Sequence, residues 1–268
     1  MPSSGSLFKR RDNALVIAQL LSAPVYWVWA PERTLWSLLV IAALSEVFLV
    51  AIYAFNRLVE LPSGDRAARR HQGLLFASLA AFFPLAAALP NRLAQGAAAA
   101  ILLIGIAYSV KIPLAGGVFQ LKKIYVVKPL LVALGYTLQW LAFTGTLSPV
   151  LMALMAWQLF DVLVLTTLLD ILDVKEDTVA GVKSFPVVHG FRRTLDIGYV
   201  GNLLCLASGA AALVLTQSAP LALLLLPRGL ERHWRLKRLR KGKTAPGLNA
   251  TLLRVLGTAG ALLHWCWG

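Results

Sequence analysis

Charge is scarce in this chain, and acid scarcer still. Of 268 residues 14% are charged, with 12 Asp and Glu against 26 Lys and Arg. With 58% hydrophobic residues and a mean hydropathy of +0.71, the composition excludes a soluble domain. Cysteine is as sparse. Cys205 and Cys266 both fall in apolar stretches with no partner spacing, which excludes a disulfide framework and a zinc site. His71, His189, His233 and His264 are scattered, and structural or surface roles suit them better than metal binding. No low-complexity linker interrupts residues 1–268, so the chain reads as one domain.

What the chain has instead is a series of apolar stretches, at 13–30, 35–55, 73–89, 93–110, 128–146, 149–169 and 249–267. Several approach the roughly 20 residues needed to cross about 30 Å of hydrocarbon. Such segments must satisfy their backbone internally, so the fold class is all-α: a polytopic transmembrane helical bundle. Residues 194–227 lie between two basic segments and must cross an even number of times. Two short helices with a turn near Gln217 to Pro220 meet that requirement, for about nine helices in all. Met1 to Ala30 has the outline of a signal peptide, with Val28 to Ala30 in the place of a cleavage site. Tyr26, Trp27 and Trp29 favour a retained first helix whose aromatics sit in an interfacial belt.

The net charge of +14 invites a nucleic-acid partner, but its distribution argues for none. All but three of the 26 Lys and Arg fall in five segments: Lys9–Arg11, Arg57–Arg70, Lys111–Lys128, Lys175–Arg193 and Arg228–Lys243. The connections between them are nearly free of basic residues. This alternation is the positive-inside pattern; it predicts a cytoplasmic N-terminus, five cytoplasmic basic segments and an outside C-terminus.

Against that background Asp170-Ile-Leu-Asp173-Val-Lys-Glu-Asp177 stands out. At helical pitch the three aspartates fall within one narrow arc. Carboxylates so crowded need either water or a cation between them. Oxygen-only ligands suit a hard ion such as Mg²⁺, which in turn favours phosphate-bearing substrates; a solvated helix end is the other reading of this spacing. Asn56 and Glu60 share a face at i, i+4 at the end of the second helix, on the same predicted side. Lys111, Lys122, Lys123, Lys128 and Lys183 lie on the neighbouring loops. Acids and bases around one mouth point to a phosphorylated anion held by metal and lysine together.

These residues resemble the motifs of the UbiA superfamily of membrane prenyltransferases, over nearly the whole chain. The second motif, DxxDxxxD followed by G-x-K-[ST], is similar to Asp170 to Asp177, then Gly181-Val-Lys-Ser184 and Pro186-Val-Val-His-Gly190. Tyr108-Ser-Val-Lys111, Leu121-Lys-Lys123 and Lys128 are similar to the family's loop between helices four and five, and Ala54-Phe-Asn56 opens its first motif. That motif departs from NxxxDxxxD, with Glu60 for the first Asp, Gly64 for the second, and Asp65 one place late. The resemblance implies an Mg-dependent enzyme transferring an isoprenoid from an allylic polyprenyl diphosphate to a lipophilic acceptor, aromatic or quinone-precursor in type. It implies Asn56, Glu60, Asp170, Asp173 and Asp177 as metal ligands, with Asp170 and Asp173 catalytic. Tyr108, Lys111, Lys122 and Lys183 are implied as diphosphate-binding groups.

Two acids remain inside the predicted spans, Glu46 and Asp161, each about 14 Å deeper than its motif at 1.5 Å per residue. Either orients the acceptor or takes its proton, or each makes an interhelical hydrogen bond to a residue such as Gln139 or Gln158. Trp140 and Trp157 read as packing. A membrane terpene cyclase, a small transporter and an inactive family member are the alternative functions.

Overall fold

Helix boundaries in this chain are set by a few polar caps in otherwise apolar sequence. Ser148 starts one helix, its hydroxyl accepting from the Leu151 N–H, with Pro149 in the first turn, where a missing N–H does no harm. Asn91 starts another, its Oδ1 accepting from the Ala94 N–H at 3.0 Å. Its Nδ2 donates to the Gly145 carbonyl at 2.8 Å, tying this start to the end of a neighbouring helix. Gly145 is left-handed (φ 64°), and a Cβ there would stand 2.8 Å from Asn91 Nδ2, so both conformation and space require glycine.

The computed structural model describes residues 23–60, 66–114, 117–179 and 181–243, together with 258, 259 and 266. Nine helices fall among them: α1 (Ala23–Trp27), α2 (Leu35–Glu60), α3 (Arg66–Ala87), α4 (Arg92–Ser109), α5 (Val127–Thr144), α6 (Pro149–Leu172), α7 (Val174–Val179), α8 (Phe185–Thr216) and α9 (Ala222–Arg240). The fold is an all-α membrane bundle. Helices α2, α4, α6 and α8 are each long and apolar enough to cross a membrane by themselves. Residues 13–22 of the stretch predicted at 13–30, and all of the one predicted at 249–267 except 258, 259 and 266, lie outside the described residues, as does Asp65. Between α4 and α5 the chain forms a small antiparallel hairpin, β1 (Ile112–Leu114) with β2 (Gly117–Phe119), pairing Ile112 with Phe119, and then a 3₁₀ turn at Leu121–Lys123.

Helix α2 packs on α3, α4 on α5 and α5 on α6, with α8 laid along α6 and α9 against both. The main core contains Leu44, Phe48, Ile101, Trp140, Phe143, Leu154 and Trp157, so both tryptophans are packing residues. Tyr26 and Trp27 are not the interfacial aromatics expected of them: both are buried. The Tyr26 ring meets Trp140 edge-on at 4.9 Å, and the Trp27 indole N–H donates to the Thr34 carbonyl at 2.9 Å. The Trp27 N–H finds its partner inside the protein, which removes its reason to stay at the interface.

The turn expected near residues 217–220 is present, with Gln217 left-handed (φ 50°) between α8 and α9. The helix after this turn is not a short apolar one ending before a basic loop. Helix α9 runs on through Pro227 to Arg240, and its first basic residues are inside the bundle. Arg232 forms an ion pair with Asp161 of α6, and Arg228 approaches the other oxygen of that carboxylate at 3.8 Å. Asp161 and Arg232 are buried. The Arg228 guanidinium also lies over the Trp157 ring, 5.5 Å from its centroid. Among the described residues Asp161 therefore answers to two arginines. The second deep acid, Glu46, has one buried carboxylate oxygen with no hydrogen-bond partner among the described residues.

Candidate active site

The end of α2 carries the first set of polar groups. Asn56 and Glu60 lie one turn apart, and Lys122 from the 3₁₀ turn reaches both: its Nζ is 3.1 Å from Asn56 Oδ1 and 2.5 Å from Glu60 Oε1. Arg57 flanks Glu60 at 3.4 Å. Lys111 donates to the Val59 carbonyl at 2.7 Å, satisfying one of the carbonyls that a helix end leaves open. The loop holding these lysines is pinned by Gln120, buried, whose amide donates to the Ser109 carbonyl at the end of α4.

The second set sits where α6 gives way to α7. The three aspartates do not share one continuous helix. Helix α6 stops at Leu172, Asp173 takes the C-cap position (φ −96°, ψ 9°), and α7 restarts at Val174. The break falls at the middle of three like charges that a continuous helix would hold on one arc. Lys128, at the start of α5, joins the outer two, its Nζ 2.7 Å from Asp170 Oδ1 and 3.2 Å from Asp177 Oδ2. Asp173 and Lys183 make no side-chain ion pair among the described residues, and Lys183 is exposed. The Lys183 main-chain N–H donates to the Lys123 carbonyl at 3.1 Å, so the stretch after the second motif is tied to the basic loop. Tyr125 packs edge-on against Phe185 and His189 across the same junction.

Tyr108 connects the two sets. It lies within electrostatic reach of Lys128, Asp170 and Asp177 on one side and Glu60 on the other. It also lines a cavity of about 260 Å³ between α2, α4 and α5, whose wall includes Asn56, Ile52, Ile104, Leu131 and Gly135. The walls are mostly apolar and run from Asn56 and Tyr108 to Gln139. The arrangement is a slot for an apolar chain with a charged group at one end.

Sequence patterning places Lys128 among the loop cations without assigning it to the site. Its signal is its place at the first turn of an apolar helix, where a charge meets the membrane surface. Among the described residues no three His, Cys, Asp or Glu side chains converge as a ready-formed metal cage. The oxygens instead face ammonium groups, and Asp170 Oδ2 is buried with no hydrogen-bond partner. That orphaned oxygen, beside Asp177 and Lys128, is an acceptor suited to a cation.

A family model described as the UbiA prenyltransferase family matches residues 15–253. Comparison with curated proteins gives no significant match. Among solved structures, a UbiA homologue from Archaeoglobus fulgidus bound to DMAPP and Mg²⁺ superposes with a TM-score of 0.73 at 15% identity, covering 96% of this chain and 98% of that one. The apo UbiA homologue from Aeropyrum pernix K1 gives 0.62 at 18% identity, over 93% and 96% of the two chains. A structure concerned with digeranylgeranylglyceryl phosphate synthase gives 0.63 at 14% identity, over 96% and 94%.

Proposed function

The chain belongs to the UbiA prenyltransferase family, and from that premise we propose that it transfers an isoprenoid from an allylic polyprenyl diphosphate to a lipophilic acceptor, with Mg²⁺ as cofactor. The observation that carries this reading is the pairing of Lys122 and Lys128 with two sets of oxygen donors at the mouth of an apolar cavity. The relative from Archaeoglobus fulgidus binds a donor of this class together with Mg²⁺. We assign Asn56, Glu60, Asp170, Asp173 and Asp177 to hold the metal. The unpartnered Asp170 Oδ2 and the cations already seated against these oxygens fit that role. When bound, Mg²⁺ neutralises the diphosphate and stabilises charge on its leaving oxygens.

The protein's own groups bind and orient the donor. Lys122 and Lys128, with Lys111 and Lys183 beside them, offer ammonium point charges to the diphosphate. Tyr108 stands at the boundary between that charge and the apolar slot. The slot takes the isoprenoid and keeps water from the allylic carbon. The C–O bond breaks with its electron pair on the leaving oxygen; the acceptor's nucleophilic atom bonds to the allylic carbon and gives up a proton. No protein nucleophile is required. Asp161 is already engaged by two arginines, so of the two acids expected inside the spans Glu46 is the one assigned to orient the acceptor or take its proton. An aromatic or quinone-precursor acceptor suits this scheme, and the positive-inside pattern supports a mouth at the cytoplasmic surface.

The test is turnover by the full chain in liposomes supplied with dimethylallyl or geranyl diphosphate, Mg²⁺ and a membrane lipid extract. Diphosphate release together with a prenylated lipid, both lost in Asp170→Ala, is the expected result. Cyclised hydrocarbon without acceptor would convert the assignment to a terpene cyclase. No diphosphate release with any extract would overturn it.

A further inference from the structure

The exposed side of α9 changes character along its length. Leu223, Leu230, Trp234, Lys237 and Lys241 are spaced at intervals of seven, four, three and four residues, which keeps them on one stripe of a 3.6-residue helix. Leu223, Leu230 and Trp234 are large and apolar yet exposed, and Lys237 and Lys241 lie beyond them on the same stripe. Aliphatic, then aromatic, then basic is the order in which a helix meets acyl chains, the interface and the headgroups. The Arg238 guanidinium lies 5.0 Å from the Trp234 ring centroid, bracing the indole at that boundary.

Beside the basic end, a cleft of about 560 Å³ opens between α8 and α9, lined by Phe191, Arg192, Leu195, Asp196, Leu239 and Arg240. Gly242 (φ 66°) turns the chain there, and the Lys243 N–H donates back to the Arg238 carbonyl at 3.0 Å. This end of the two helices carries Arg192, Arg193, Lys237, Arg238, Arg240, Lys241 and Lys243 against a single carboxylate, Asp196. Asp196 meets Arg240 at 3.5 Å with side chains 60% and 64% exposed, a pair too solvated to balance that charge. Arg192 makes no ion pair among the described residues. Val164, Leu168, Leu195 and Leu236 form an apolar plug between α6, α8 and α9, to which Leu239 also packs. The cleft therefore shares none of the lysines or acids assigned above.

We propose that this cleft binds the headgroup phosphate of an acidic phospholipid, whose acyl chains lie along the Leu223–Leu230–Trp234 stripe. Charge selects the headgroup and the apolar stripe selects a lipid over a soluble anion. Arg192 and Arg240 are the phosphate ligands, and Asp196 competes for Arg240.

Native mass spectrometry of the full chain, offered phosphatidylglycerol or phosphatidylcholine of the same chain length, tests this. Phosphatidylglycerol is retained and phosphatidylcholine is not. Arg192→Ala and Arg240→Ala each lower its retention about fivefold, the worth of one basic side chain at an anionic surface. Asp196→Ala raises retention, a gain that loss of fold cannot mimic. Inorganic phosphate at millimolar concentration leaves the lipid bound. Equal retention of the two lipids, displacement by inorganic phosphate, or undiminished retention in the double arginine variant would each overturn the assignment. Prenyl-diphosphate binding in the two arginine variants stays at the wild-type level, which separates this cleft from the catalytic mouth.

Discussion

Asp161, Arg228 and Arg232 offer a sharp energetic test, because three charged groups are held together deep in an apolar bundle. Removing one partner leaves the others without compensation in hydrocarbon. An arginine near the centre of a membrane helix costs about 2.5–3.5 kcal/mol on insertion scales, and breaking a buried pair costs about 3–5 kcal/mol. Asp161→Leu is therefore expected to destabilise the bundle by roughly 3–5 kcal/mol. The triple variant Asp161→Leu, Arg228→Leu, Arg232→Leu removes all three charges and should recover most of that loss, because well-packed apolar replacements of buried ion pairs are often neutral or better. The assay is unfolding in mixed micelles with increasing SDS, followed by tryptophan fluorescence. Trp157, packed under Arg228, is a natural local reporter. A harmless Asp161→Leu, or a triple variant as unstable as the single one, would refute the reasoning.

The site and the topology carry further expected outcomes. Lys128→Ala should weaken prenyl-diphosphate binding by roughly 10- to 150-fold, the worth of a charge-assisted hydrogen bond of about 1.5–3 kcal/mol, as read by calorimetry. Glu60→Asp shortens the arm facing Lys122 and should shift the Mg²⁺ dependence of turnover, while Glu60→Ala should be severe; unchanged Mg²⁺ response in both would mean the first motif is vestigial. A Cβ at Gly105 would stand 2.3 Å from Ile52 across the cavity wall, so Gly105→Leu should reduce donor binding, read by the same calorimetry. Cysteines placed at Lys123 and Lys183 should be labelled from the opposite side of the membrane to one at Ser218; labelling of all three from one side would undo the crossings of α8.

Much of this is legible in the sequence because polarity at the end of an apolar run has few explanations. Asn56, Glu60, Asp170 and Asp177 stand out that way, and they do meet lysines of the connection between α4 and α5 and of the first turn of α5. The bundle and the turn at Gln217 are equally readable. What sequence misses depends on contacts distant along the chain. Hydropathy assigns Arg228 and Arg232 to water; their place inside rests on Asp161, more than sixty residues earlier. Tyr26 and Trp27 look interfacial while their partners are out of sight. The break at Asp173 is hidden because periodicity continues across it. The hairpin at residues 112–119 has strands of three residues, too short for any pattern to register.

Lys122 and Lys128 have a consequence for the order in which ligands arrive. Each set of oxygens already faces an ammonium group, Lys122 at the first and Lys128 at the second. A divalent ion entering there must displace a lysine, and a lysine so displaced lacks a counter-charge until an anion comes. An anion arriving first must draw the lysine away and expose bare carboxylates. Each ligand thus removes the obstacle to the other, and linkage makes the gain reciprocal: the factor by which diphosphate tightens Mg²⁺ is the factor by which Mg²⁺ tightens diphosphate. Mg²⁺ titrated into the protein without diphosphate should bind poorly, and the two together should bind far more tightly than either affinity implies.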